Sequence, residues 1–164
     1  MGQRMSLPQL AGRALLATLP VLLVAFLGNL ATIPNIPGWY AGLAKPPGTP
    51  PNWLFAPVWS LLYAAMIVAA WRILSLPSPI AGRRTALTLF FGQLALNAAW
   101  SWAFFAARNP LLGLVVICAL LVAIALTIRA FRPLDRIAAW LFAPYLAWVL
   151  YATYLNLGVW WLNG

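Results

Sequence analysis

The sequence predicts an all-α integral membrane protein, a single bundle of five transmembrane helices spanning residues 1–164, and three observations predict it. Apolar residues make up 65% of the chain and charged residues 7%, where a soluble domain carries about a quarter of its residues as charges. The mean hydropathy is +0.91. The charges leave five uncharged intervals, 14–44, 46–71, 85–107, 109–128 and 137–164, each long enough for the roughly 20 apolar residues that cross a bilayer as a helix.

Taken in order, the spans are expected near 12–33, 54–75, 85–106, 110–130 and 134–160. The first has to be told from a secretory leader, because Arg4 and Arg13 precede the apolar run Ala14 to Leu27. No small-residue cleavage pair follows Gly28, where Asn29 and Ala31 are the nearest match, so the segment reads as a retained span. Gly2 with Ser6 fits an acylation pattern, an anchor for which a five-span protein has no need. Between the first two spans, residues 34–52 hold Pro34, Pro37, Pro46, Pro47, Pro50 and Pro51 with Gly38, Gly42 and Gly48. Proline fixes φ and removes a donor, so this segment is expected to be a stiff, lid-like loop. The remaining connections, at Pro77 to Arg84, Asn109-Pro110 and Arg132-Pro133, leave little room for an extramembrane domain.

The charge balance of ten basic residues to one acidic also bears on partners and orientation. The basic residues punctuate apolar runs instead of forming a patch with polar neighbours, which argues against nucleic acid. Arg4, Arg13, Arg72, Arg83, Arg84, Arg129, Arg132 and Arg136 fall on one side of the predicted bundle, and Lys45 and Arg108 on the other. In a bacterial plasma membrane that asymmetry puts the N-terminus in the cytoplasm and the 34–52 loop outside; an outer membrane stays open as the alternative. With no histidine and a single cysteine, Cys118, the usual zinc sites and histidine-ligated haem iron cannot be built. Asp135, between Arg132 and Arg136 at a predicted helix start, reads as a partner of the helix dipole in preference to a catalytic acid.

Polar residues inside a span are the informative ones, because lipid does not solvate them. Gln93 and Asn97, spaced i, i+4, share a face of the third helix with Trp100. Trp59, Tyr63 and Met66 share a face of the second, and Tyr145, Trp148, Ala152 and Asn156 follow one course on the fifth. These faces are expected to converge on an internal cavity, although each amide, Asn156 above all, could equally serve as interhelical glue. Trp39, Trp53, Trp160 and Trp161 suit the interfacial belt, whereas Trp59, Trp100 and Trp148 suit a pocket that stacks flat aromatic ligands. Ala95, Ala99, Ala103 and Ala107 recur every four residues on the third helix, which predicts either close packing inside the bundle or a homodimer seam.

A family pattern runs through these positions: Trp39-Tyr40, Lys45-Pro46, Pro50-Pro51-x-Trp53, Pro57-Val58-Trp59 and Leu62-Tyr63. It continues through Gln93-Leu94-x-x-Asn97-x-x-Trp100, Phe104-Phe105, Pro144-Tyr145-x-x-Trp148 and Leu155-Asn156. In this the chain resembles the translocator protein family, also called tryptophan-rich sensory protein or peripheral-type benzodiazepine receptor. The resemblance implies a five-helix protein, often dimeric, that binds porphyrins and haem-like tetrapyrroles, sterols, and synthetic isoquinoline carboxamide or benzodiazepine ligands. Its implied pocket lies among the first, second, third and fifth helices beneath the first loop, and on matching positions comprises Trp39, Tyr40, Pro50, Trp59, Tyr63, Gln93, Asn97, Trp100, Trp148 and Ala152. Two departures stand out. Pro47-Gly48-Thr49 replaces the aromatic or polar loop residues of many relatives, and the sterol motif of animal relatives is absent, with Leu157 where its Tyr would be and no Lys or Arg after Arg136.

The resulting expectation is a membrane protein that binds a tetrapyrrole between Trp59 and Trp148, with Gln93 and Asn97 on its polar edge, and acts as a sensor or regulator. The expected partners are membrane lipids, the hydrophobic ligand and a second copy of the chain; no cofactor is required. The alternatives are light-dependent porphyrin degradation, with Trp59 and Trp148 as the photochemical candidates, and facilitated transport of tetrapyrroles, lipids or sterols. Proton-coupled transport is disfavoured, since the spans contain no carboxylate or histidine for a relay.

Overall fold

The computed structural model describes residues 6–77 and 79–164; Gly2 and Arg4 lie outside the described residues. Among the described residues, five helical stretches are long and apolar enough to cross a membrane: Leu7–Asn35, Asn52–Ser75, Arg83–Ala106, Pro110–Phe131 and Arg136–Asn163. They comprise α1 (Leu7–Thr32), α2 (Phe55–Ser75), α3 (Arg83–Ser101), α4 (Pro110–Phe131), the short α5 (Arg136–Leu141) and α6 (Ala143–Asn163). The predicted fold class stands.

Each start and stop has a local cause. The Ser6 N–H donates to Oε1 of Gln9 at 3.1 Å, half of a capping box at the start of α1. Arg83 closes the other end of α2: its guanidinium donates to the carbonyls of Leu74 at 2.8 Å and Leu76 at 3.2 Å, satisfying groups that a helix C-terminus leaves open. Gly82, at φ 84, makes the left-handed turn into α3. Asn109 caps α4, its Oδ1 accepting from the Leu112 N–H at 3.0 Å, and Pro110 occupies the first helical position, where no N–H is needed. Asp135 caps α5 through the Ala138 N–H at 2.9 Å and pairs with Arg72 of α2 at 2.9 Å.

Two predicted spans are less regular than a single helix. The third changes at Ser101 into a π turn over Trp102–Ala106, with the Ala107 N–H reaching back to Trp102. The wider turn shifts the phase of every residue after it. Ala95 and Ala99 are exposed, Ala103 is buried inside the bundle and Ala107 lies beyond the π turn, so the four alanines do not form one continuous stripe. The fifth span breaks at Phe142 into α5 and α6. Pro144, two residues on, has no N–H to donate into the preceding turn.

Around the bundle, α1 packs against α2 and α3, α3 against α4, α4 against α6, and α5 returns to α2. The main core runs from Ala17 and Val21 of α1 through Met66 and Ile73, Phe90 and Leu94, Ile117 and Ile124 to Tyr145 and Val149. On the outside, α1 leaves Leu15, Leu19, Leu22, Leu23 and Phe26 uncovered, the pattern of a helix whose solvent is lipid.

Candidate functional site

Asn97 sits at the junction of three helices. Its Nδ2 donates to the Tyr145 hydroxyl of α6 at 2.8 Å, and its Oδ1 accepts from the Tyr63 hydroxyl of α2 at 3.1 Å. Rings gather around this node: Trp59 lies 5.4 Å from Tyr63 and 6.2 Å from Tyr145, centroid to centroid. One turn along α6, Trp148 meets Phe55 edge-on at 5.9 Å and Tyr151 at 5.8 Å. Here α2 and α6 meet through aromatic side chains, which leaves a wall of π faces between them.

Two polar groups in this region have no partner. Gln93, a turn below Asn97 on the same face, is fully buried, and neither its Nε2 nor its Oε1 finds a hydrogen bond among the described residues. The Trp148 indole N–H is likewise buried and unpaired. Such groups cost about 1–3 kcal/mol each when left unsatisfied, a cost that stands out in a chain with so few polar residues in its spans.

A second cluster lies under the loop. Trp39 and Tyr40 pack edge-on against Phe104, at 5.4 and 6.4 Å, and both also touch Phe105. Trp100 stacks on Phe104 at 5.6 Å and packs against both clusters. Its indole N–H donates to Oδ1 of Asn156 at 3.0 Å, and Asn156 in turn donates to the Pro110 carbonyl at 2.7 Å. Asn156 therefore ties α3, α4 and α6 together, the gluing role. Burial first, and then Tyr151 nearby, holds the Tyr40 hydroxyl above the ordinary tyrosine range; the Lys45 ammonium lies over its ring at 4.7 Å.

The loop itself is fastened to α6. Tyr151 and Tyr154 donate to the carbonyls of Gly48 and Pro47. The Asn163 carboxamide holds Ala44 from both sides, accepting its N–H at 3.0 Å and donating to its carbonyl at 2.9 Å. Pro46 sits in a notch at Gly158, where a Cβ would come within 2.6 Å of its ring. Tyr151, Tyr154 and Gly158 recur at i, i+3 and i+7 on one flank of α6, and Asn163 reaches the loop from the last residue of the helix.

Of the sequence-predicted site residues, Trp59, Tyr63, Asn97 and Trp148 come to the inner centre; Gln93 is buried one turn along α3 from Asn97, and Ala152 is half-buried against the core. Trp39, Tyr40 and Trp100 form the second cluster, and Pro50 is half-buried in the loop. Tyr145, Phe55, Phe104 and Phe105 belong to these clusters although the predicted set omits them. Tyr145 lies on the Trp148 and Ala152 face read from the sequence, at i, i+3, although it is not in the pocket set that the family resemblance implies.

The chain matches the model of the TspO/MBR family over residues 16–162. The chain belongs to the TspO/MBR family. Similar proteins include the tryptophan-rich protein TspO of Archaeoglobus fulgidus, 41% identical over 148 residues, covering 88% of this chain and 93% of the relative. The translocator protein of Homo sapiens is 41% identical over 123 residues, covering 74% and 73%, and the tryptophan-rich sensory protein of Cereibacter sphaeroides 39% over 118 residues, covering 72% of each. Membership of the TspO/MBR family and the five apolar helices together make this a multi-pass integral membrane protein.

Proposed function

We propose that the chain binds a flat, hydrophobic tetrapyrrole within the bundle, between α2, α3 and α6 under the fastened loop, and acts as a sensor or regulator. The observation that carries this reading is Gln93: a fully buried carboxamide whose two polar atoms find no partner among the described residues, one turn along α3 from the Asn97 that holds Tyr63 and Tyr145. A ligand with a polar edge on an aromatic body offers that amide partners and lets its faces meet Trp59 and Trp148. Asn97 acts differently from Gln93 in this reading, because its hydrogen bonds already hold Tyr63 and Tyr145 in place. No proton transfer or cofactor is required. The words "sensory" and "translocator" in the relatives' names accord with a ligand-holding role.

The same reading places the basic-rich end of the bundle on the cytoplasmic side of a bacterial plasma membrane and assigns self-association to α3, where Gly92, Ala95 and Ala99 are exposed.

Titration of the purified protein with protoporphyrin IX in the dark, followed by tryptophan fluorescence, tests the proposal. Saturable quenching, weakened about tenfold by Trp148→Phe, is expected. Absence of saturation, or unchanged affinity in the variant, overturns it. Repeating the titration under illumination distinguishes a holder of porphyrin, which leaves it intact, from a photochemical degrader, which forms a light-dependent product.

A further inference from the structure

Where α4 turns into α5, a recess of about 480 Å³ opens at the membrane boundary, lined by Arg129, Arg132, Pro133, Leu134, Asp135 and Arg136. Its charge is unbalanced. Asp135 is already paired with Arg72 at 2.9 Å, whereas Arg129, Arg132 and Arg136 are exposed and have no ion-pair partner among the described residues. Three guanidinium groups around one concavity repel one another, and an anion relieves that repulsion. Phosphate oxygens fit the guanidinium fork best, through paired N–H···O bonds.

The surface next to the recess is apolar. On α4, Val122 and Leu126 are exposed and share the face of Arg129 at i, i+4 and i+7. On α5, Trp140 is 75% exposed one turn from Arg136, with exposed Ile137 between them. A free phosphate ion would engage the cations and leave this surface unused. A molecule with an anionic phosphate head and acyl chains engages both, and the end of a membrane span is where such molecules are concentrated.

We propose that this recess is a binding site for an anionic phospholipid of the leaflet at the α4–α5 turn, its phosphate held by Arg129, Arg132 and Arg136 and its acyl chains lying along Val122, Leu126 and Trp140. The site is separate from the aromatic centre and does not depend on what that centre binds.

The test is native mass spectrometry of the detergent-solubilised protein equilibrated with phosphatidylglycerol or with phosphatidylcholine. Selective retention of phosphatidylglycerol is expected, falling about fivefold for each guanidinium removed in Arg129→Gln, Arg132→Gln and Arg136→Gln. Arg108→Gln, at the opposite end of the bundle, should leave retention unchanged. Arg132→Gln alone serves as the measure where a variant combining the three substitutions does not fold. Equal retention of the two lipids, or undiminished retention in the arginine variants, overturns the proposal. An inorganic phosphate competitor discriminates the source: resistance to millimolar phosphate, together with weaker lipid retention in Trp140→Ala, is the result expected of a lipid site. Displacement on equal terms would mark a free-phosphate site and overturn the lipid assignment.

Discussion

The carboxamide of Asn97 donates to the Tyr145 hydroxyl at 2.8 Å, and the same side chain accepts from Tyr63, so one residue of α3 fixes the rotamers of two aromatic residues on different helices. Removing the amide should affect all three helices at once. Asn97→Ala is expected to destabilise the bundle by about 1–3 kcal/mol, because both hydroxyls lose a partner in a dry interior. Unfolding in a denaturing detergent, measured for Asn97→Ala, Tyr145→Phe and the double variant, gives the coupling; strict additivity would mean that the bond contributes nothing.

Gln93 predicts the opposite sign. Its buried amide has no partner among the described residues, so Gln93→Leu should stabilise the ligand-free protein, by about 1 kcal/mol. Under the tetrapyrrole reading the same change weakens porphyrin binding. A variant that gains stability without losing affinity would separate the two, leaving the unpaired amide unconnected to the ligand.

Gln93 and Asn97 also mark the limit of what the sequence made legible. Their i, i+4 spacing placed them on one face, but whether each amide would be satisfied depended on Tyr63 and Tyr145, which are distant in the chain. The spans themselves were legible because charges punctuate them and lipid admits only closed helices. The π turn at Trp102–Ala106 was not, since apolar residues there suit an α-helix equally well, and it undid the regular alanine stripe. The break at Phe142 had a sign in Pro144. The loop's proline content implied stiffness, but not that Tyr151, Tyr154 and Asn163 would fasten it, because those residues read equally well as interfacial.

The ion pair at the start of α5 makes stability depend on pH. Partial burial alone would raise the Asp135 carboxyl, but the Ala138 N–H, the hydrogen bond and charge of Arg72, and the Ile137 N–H together outweigh it and hold the group below the usual carboxylate range. A depressed folded-state value means that the stabilisation is fully present above the unfolded value, about pH 4, and is lost as pH falls through the folded one. With Arg72 36% exposed, the contribution is expected to be no more than about 1 kcal/mol. Thermal unfolding from pH 7 down to pH 2 should show that decline in the wild type and lack it in Asp135→Asn.

The fastening of the loop can be read at a single amide. The Ala44 N–H donates to Oδ1 of Asn163, so its hydrogen exchange reports on that contact, whereas trypsin does not, because Lys45 precedes a proline. Asn163→Ala removes both of its bonds to Ala44 and should speed exchange at Ala44 at least about fivefold, the factor that about 1 kcal/mol in local opening gives. Gly158→Ala should act on the same loop by a different route: the added methyl meets Pro46 at 2.5 to 2.6 Å, too close for any real contact, and the proline must lift. If the loop covers the ligand, both variants should release bound porphyrin faster while the aromatic centre keeps its geometry. Faster exchange at Ala44 with an unchanged release rate would show that the ligand leaves by another route, and the seam between α2 and α6, where Trp59 packs on Tyr145 and Phe55 on Trp148, would be the path to test next.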